Sequence, residues 1–176
     1  MSTSPHYKGV KNDLTIGKKE AGVLKIKPTA LDVTWGSDPR YWSIDKKNAG
    51  DSTGVISLHQ VSWLEVTGTF DNDQLKLDKS KRYSLKFRVR MKADAFGWNG
   101  CPVYLMVKDG ETSKFKWNKV DLSRLPAGTE VDIPEPSVEF KPPPDDNKVI
   151  FGLFEIWRGR WKGGLDILQV IIQEVG

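Results

Sequence analysis

Cysteine is nearly absent from this chain: Cys101 stands alone among 176 residues. A single thiol excludes an internal disulfide, so the fold cannot rest on a disulfide framework. Cys101 reads as a small buried hydrophobe beside a strand; an intermolecular disulfide is the alternative. Histidine is almost as scarce, with only His6 and His59. With one cysteine and two histidines, a zinc site of nitrogen and sulfur ligands is not expected, nor is any other metal. His59 has no Ser–His–Asp or Cys–His context, and His6 sits in a polar N-terminal stretch. No glycine motif precedes a helix to cradle phosphate, so no cofactor is expected either. No apolar run approaches the ~20 residues a membrane helix needs. The opening MSTSPHYKGVKNDLTIGKKE lacks the apolar stretch of a secretory signal. The expectation is a cytosolic protein with no membrane partner. Helical spacing is missing as well, because ten prolines and sixteen glycines punctuate the chain at short intervals.

What is present has period two. In RYSLKFRVRM, Tyr83, Leu85, Phe87, Val89 and Met91 face one way, while Arg82, Ser84, Lys86, Arg88 and Arg90 face the other. That is a half-buried antiparallel strand. CPVYLMVK and SWLEVTGTF alternate in the same way. NKVIFGLFEIW and GLDILQVIIQEV are apolar on both faces and predict central strands. Asp71-Asn72-Asp73, Lys108-Asp109-Gly110, Pro126-Ala127-Gly128 and Gly163-Gly164 read as separating turns. Pro142–Lys148 reads as a stiff connector before the next strand. The pattern predicts an all-β fold, a two-sheet antiparallel sandwich of jelly-roll type. Residues 1–28 read as a polar, basic, loosely held tail with at most one edge strand, and residues 29–176 as the sandwich domain. The formal charge of +4 permits weak attraction to polyanions without demanding it.

Tryptophan is the anomaly, at seven residues. Trp63 and Trp117 lie in strand-like context and read as core; Trp98, in a Gly-Trp-Asn-Gly turn, reads either way. Trp35 and Trp42 bracket a bend holding Gly36, Ser37, Asp38 and Pro39. Along an unbroken strand a seven-residue separation would put them on opposite faces. The Pro39 bend lifts that constraint and predicts that both indoles converge at a loop. Indole faces beside Asp38 or Arg40 suit a sugar, whose C–H face stacks while its hydroxyls take polar partners. The competing reading makes both indoles packing residues. Glu155 sits inside an apolar strand, where an unpaired acid is costly. It must reach solvent, pair with Arg158, Arg160 or Lys162, or accept hydrogen bonds from a ligand. Glycoside hydrolysis needs two carboxylates across a cleft, about 5–9.5 Å apart; no spacing suggests them, and no catalytic residue is expected.

Two other readings compete. Arg82, Lys86, Arg88 and Arg90 form a basic row which, with the basic tail, could track RNA phosphates in a binding or trafficking role; a solvated sheet face explains the row equally. The lone cysteine and exposed strand edges suit a structural filament protein.

The blocks LDVTWGSDPRYWSI, VSWLEVTGTF, RYSLKFRVRMK and FEIWRGRWKGGLDI resemble, in order and spacing, those of the phloem protein 2, or Nictaba-like, plant lectins. The resemblance spans about Leu31 to Ile167. It implies a jelly-roll sandwich that binds N-acetylglucosamine oligomers and related N-glycan cores without catalysis. It implies a plant protein of the nucleocytoplasm or phloem sap, often a homodimer. By position, the family's paired sugar-site tryptophans fall on Trp35 and Trp42 and its site acid on Glu155. The tryptophan and lysine of its closing block fall on Trp161 and Lys162. A second family acid would fall at Lys148, a departure that leaves one carboxylate to carry over.

Overall fold

A computed structural model describes residues 4–11, 14–16, 22–44, 54–109, 114–144 and 147–175. Its strands are β1 (Val23–Ile26), β2 (Asp32–Val33), β3 (Trp42–Ile44), β4 (Ile56–Leu58), β5 (Leu64–Asp71), β6 (Tyr83–Phe96), β7 (Val103–Asp109), β8 (Lys114–Val120), β9 (Glu130–Phe140), β10 (Lys148–Glu155) and β11 (Gly163–Glu174). They form two antiparallel sheets packed as a sandwich. One runs β3-β4-β11-β6-β9, with β1 also on β11; the other runs β2-β5-β10-β7-β8. The first half of β11 pairs with β4 and its second half with β1, while β6 takes the opposite edge. The two segments apolar on both faces are therefore the central strands, as their composition predicts. In β6 the set Tyr83, Leu85, Phe87, Val89 and Met91 is buried, as period two requires.

The sheets meet through Phe87 and Phe151, edge to face at 6.1 Å, and Phe151 stacks on Phe70 at 5.9 Å. Each such ring contributes roughly 1.5–3 kcal/mol by leaving water. The segment before residue 29 is tied to this frame at its described positions. β1 lies in the sheet, Tyr7 and Leu14 are buried, and Tyr7 exchanges backbone hydrogen bonds with Val33 at 2.9 Å in both directions. Pro126-Ala127-Gly128 turns as expected. The expectation for Gly163-Gly164 is corrected: they open β11 rather than form a turn. A Cβ on Gly163 would lie 1.8 Å from the His59 carbonyl oxygen. Close backbone approach, not chain reversal, is what requires glycine there. Gly110 lies outside the described residues.

Candidate functional site

The segment after β2 folds as consecutive turns. Gly36 N donates to Val33 O at 2.9 Å, Asp38 N to Trp35 O at 3.2 Å, and the Tyr41 and Trp42 amides both to Asp38 O. This path puts Trp35 in the left-handed region, at φ +65°. A bulky residue there costs on the order of 1–3 kcal/mol and persists only where its surroundings hold it. Its amide donates to His6 Nδ1 at 3.0 Å, and the His6 ring meets the indole edge-on at 5.0 Å.

Where β3 begins, period two decides the next two side chains. Trp42 pairs in register with Leu58 and points into the core, 2% exposed. Tyr41, one position earlier, faces outward beside Trp35, with ring centroids 6.1 Å apart. The expected convergence of Trp35 and Trp42 is thus corrected: Trp35 stays at the surface, and Tyr41 takes the place beside it. Trp42 Nε1 finds no acceptor among the described residues.

Tyr41 also lies 6.1 Å from Trp161, tilted by 32°. Trp35, Tyr41, Trp161 and Trp63, with Val61 and Ser62, line an open cleft of about 120 Å³. Trp63 is 43% exposed, which corrects its reading as core. The Arg40 guanidinium lies over Tyr41, 5.0 Å from the ring centroid, and pairs with Asp38 at 2.7 Å. Arg40's side-chain hydrogen bond, with its backbone N–H second, holds the Asp38 carboxyl below its ordinary range. Charged hydrogen-bonding groups therefore stand beside the rings.

Glu155 and Lys162 lie elsewhere. They are 1% and 0% exposed and form an ion pair at 3.4 Å. Cys101 Sγ and the Arg158 amide also donate to Glu155 Oε1, at 3.3 and 3.4 Å. Burial, then that hydrogen bond to Glu155, pushes the Cys101 thiol up. Lys162 Nζ donates onward to Ser62 O at 2.9 Å and Arg160 O at 3.0 Å, while the Val61 and Lys162 backbones bridge. Lys162 thus staples the connection bearing Trp63 to the one bearing Trp161. Of the three fates open to Glu155, pairing with a base is the one observed. Glu155 and Lys162, expected to face a ligand, are instead buried against one another, and neither lines the cleft. Trp98 is also structural, buried with Nε1 on Gly163 O at 2.9 Å.

The basic row is occupied. Lys86 pairs with Glu135 at 3.5 Å, Arg88 with Asp132 at 2.8 Å and Arg90 with Asp166 at 3.0 Å. Arg82 lines a groove with Phe115 and Trp117. Trp117, at 57% exposed, is the other corrected core assignment. His59 contacts Ser43 Oγ at 2.6 Å. Among the described residues no group of three His, Cys, Asp or Glu could hold a metal ion. No helix of the described residues is long and apolar enough to cross a membrane.

Residues 22–174 match the family model described as phloem protein 2. The chain belongs to the phloem protein 2 family. PHLOEM PROTEIN 2-LIKE A9 of Arabidopsis thaliana is 38% identical over 161 residues, covering 84% of this chain and 85% of that protein. PHLOEM PROTEIN 2-LIKE A1 of the same plant is 31% identical, covering 81% of this chain but 58% of its own length. A protein named lectin from Coccinia grandis is 33% identical over 73 residues, 41% of this chain and 45% of that one. In three dimensions the chain superposes on a GH26-CBM35 β-(1,4)-mannanase of Podospora anserina at TM-score 0.52 and 11% identity, covering 89% of this chain and 28% of that one. That likeness concerns the sandwich fold alone.

Sequence reasoning missed Tyr41 and His6. Strand alternation could have found the first, since burying Trp42 turns Tyr41 outward. Nothing local marks His6, whose contact with Trp35 spans 29 positions.

Proposed function

We propose that the chain is a lectin that binds N-acetylglucosamine oligomers and related N-glycan cores, non-catalytically, in the cleft between Trp35, Tyr41, Trp63 and Trp161. The observation that carries this reading is four aromatic rings gathered from three connections around one open cleft. Membership of the phloem protein 2 family and similarity to plant proteins named lectins support it. A pyranose C–H face stacks on an indole, and covering roughly 50 Å² is worth about 1 kcal/mol. Ser62 and the Asp38–Arg40 pair supply partners for hydroxyl and acetamido groups at about 1 kcal/mol each net.

Size sets the form of binding. Roughly 120 Å³ is well below the ~300–1,000 Å³ that engulfs a larger ligand. One ring docks and its neighbours extend over the rim. A single sugar then binds near millimolar, and affinity grows with oligomer length or multivalency. Among the described residues that line the cleft none carries a carboxylate, and Glu155 is paired with Lys162, which supports the non-catalytic reading.

The test is a titration of the chain with N-acetylglucosamine, chitotriose and cellotriose, followed by tryptophan fluorescence. Chitotriose should bind tighter than the monosaccharide and tighter than cellotriose, which lacks the acetamido groups. No response to chitotriose at millimolar concentration removes the proposal; equal response to cellotriose removes its N-acetylglucosamine preference.

A further inference from the structure

Residues 4–11 lie outside the family-matched region, which begins at residue 22, yet they are laced to the Trp35 loop. Ser37 N donates to Pro5 O at 3.0 Å, and Tyr7 and Val33 exchange backbone hydrogen bonds. Gly36 lets this segment approach: a Cβ there would stand 2.7 Å from Tyr7 Cβ. At the tip of the strap, His6 Nδ1 accepts from the Trp35 amide at 3.0 Å. Its ring meets the indole edge-on, on an indole that also touches Tyr41. Trp35 is at φ +65°, a conformation its own preferences oppose. Its amide has an outside acceptor only because His6 reaches it.

We infer that His6 is a positioning residue of the sugar platform: the N-terminal strap clamps the Trp35 backbone so that its indole completes the cleft. This rests on the carbohydrate reading of the cleft. Acceptance at Nδ1 requires that this nitrogen carry no proton, which places the ring proton on Nε2. An Asn side chain can offer an oxygen acceptor in about the place of that nitrogen, whereas Ala offers none.

The experiment compares the full chain with His6→Ala and His6→Asn. Two quantities are read: chitotriose affinity by calorimetry, and the exchange rate of the Trp35 amide by NMR. His6→Ala should weaken chitotriose binding about fivefold, the loss expected for one modest hydrogen bond. It should also speed Trp35 amide exchange while leaving the melting temperature unchanged. His6→Asn should restore both quantities. Retention of tight binding and slow exchange in His6→Ala would overturn the inference, as would His6→Asn behaving like His6→Ala. If the unaltered chain ignores chitotriose, the carbohydrate reading falls by itself. The amide exchange of the three chains then still decides whether His6 clamps Trp35.

Discussion

Two groups of exposed aromatic rings lie on this molecule, and they are built differently. Trp35, Tyr41, Trp63 and Trp161 come from the β2–β3, β4–β5 and β10–β11 connections and enclose a cleft. The buried pair of Lys162 and Glu155 ties two of these connections together, through Lys162 on Ser62 O and Arg160 O. Trp117, Tyr104 and Trp157 come from β8, β7 and the residues just after β10. Trp117 and Trp157 both meet Tyr104 edge-on, at 5.4 and 4.9 Å. Phe115 and Trp117 alternate with Lys114 and Lys116 along β8, which is the edge of its sheet. Lysine-studded edges discourage pairing with other chains. In the second group Tyr104 and Trp117 stand on regular strands, and none of its three rings is at positive φ. In the first, Trp35 is held against its preference. Exposure and convergence from separate segments are common to both groups; rings lining one shared cleft, with backbone strain at one of them, belong to the first. The connection after β10 serves both, since Trp157 joins the second group and Trp161 the first.

The largest effect should come from breaking the buried pair. Lys162→Met leaves the Glu155 carboxylate buried without its cation, which costs about 3–5 kcal/mol. For a chain of this size that lowers the melting temperature by roughly 6–20 °C. It also unlinks the connections carrying Trp63 and Trp161. The double variant with Glu155→Leu removes both charges and should recover much of the stability. A melting temperature unmoved by Lys162→Met would mean the cleft has no special foundation, and the contrast with the second group would fail at its base.

Smaller, and read in binding rather than stability, are the platform substitutions. Trp161→Ala and Trp35→Ala each remove a stacking face worth about 1–1.5 kcal/mol, so chitotriose affinity should fall roughly tenfold. Both indoles are exposed, and folding should change little. Trp42→Phe, by contrast, should act through packing, because that ring is sealed beneath β3. If Trp42→Phe abolishes binding while the fold stays intact, the division between Tyr41 as platform and Trp42 as core is wrong.

Much of this was legible in the residues, and the failures share one cause. Alternation in β6 and the doubly apolar β10 and β11 fixed strand type and centrality, because burial per residue is a local property there. The bend at Pro39 was legible too, as was the need of Glu155 for a partner. Which partner it takes was not: Arg158, Arg160 and Lys162 are equally near in sequence, and only the packing selects Lys162. Trp63 and Trp117 looked like core because a strand's inward face cannot be told from its outward face when both neighbours are mixed. The local pattern at Pro39 permitted convergence with Trp42 but did not state that the register with Leu58 would claim that ring. The His6 contact is non-local and carries no motif at all.

The smallest expected effect is the sharpest test of the comparison. Trp117→Ala removes a fully comparable indole, 57% exposed against 38% for Trp35. It forfeits one edge-to-face contact with Tyr104, worth about 0.5–1.5 kcal/mol. The melting temperature should therefore drop by no more than a few degrees, and chitotriose affinity should not change. The groove beside Trp117, about 360 Å³ and lined by Arg82, Asn118 and Glu139 among others, is larger than the cleft. Volume and exposure alone would favour it as the sugar site. What argues otherwise is that its aromatic faces stand on one edge strand, whereas the cleft draws rings from three connections onto one spot. A fall in affinity for Trp117→Ala as large as for Trp35→Ala would show that exposure and volume, not the shared cleft, select where a sugar binds on this fold.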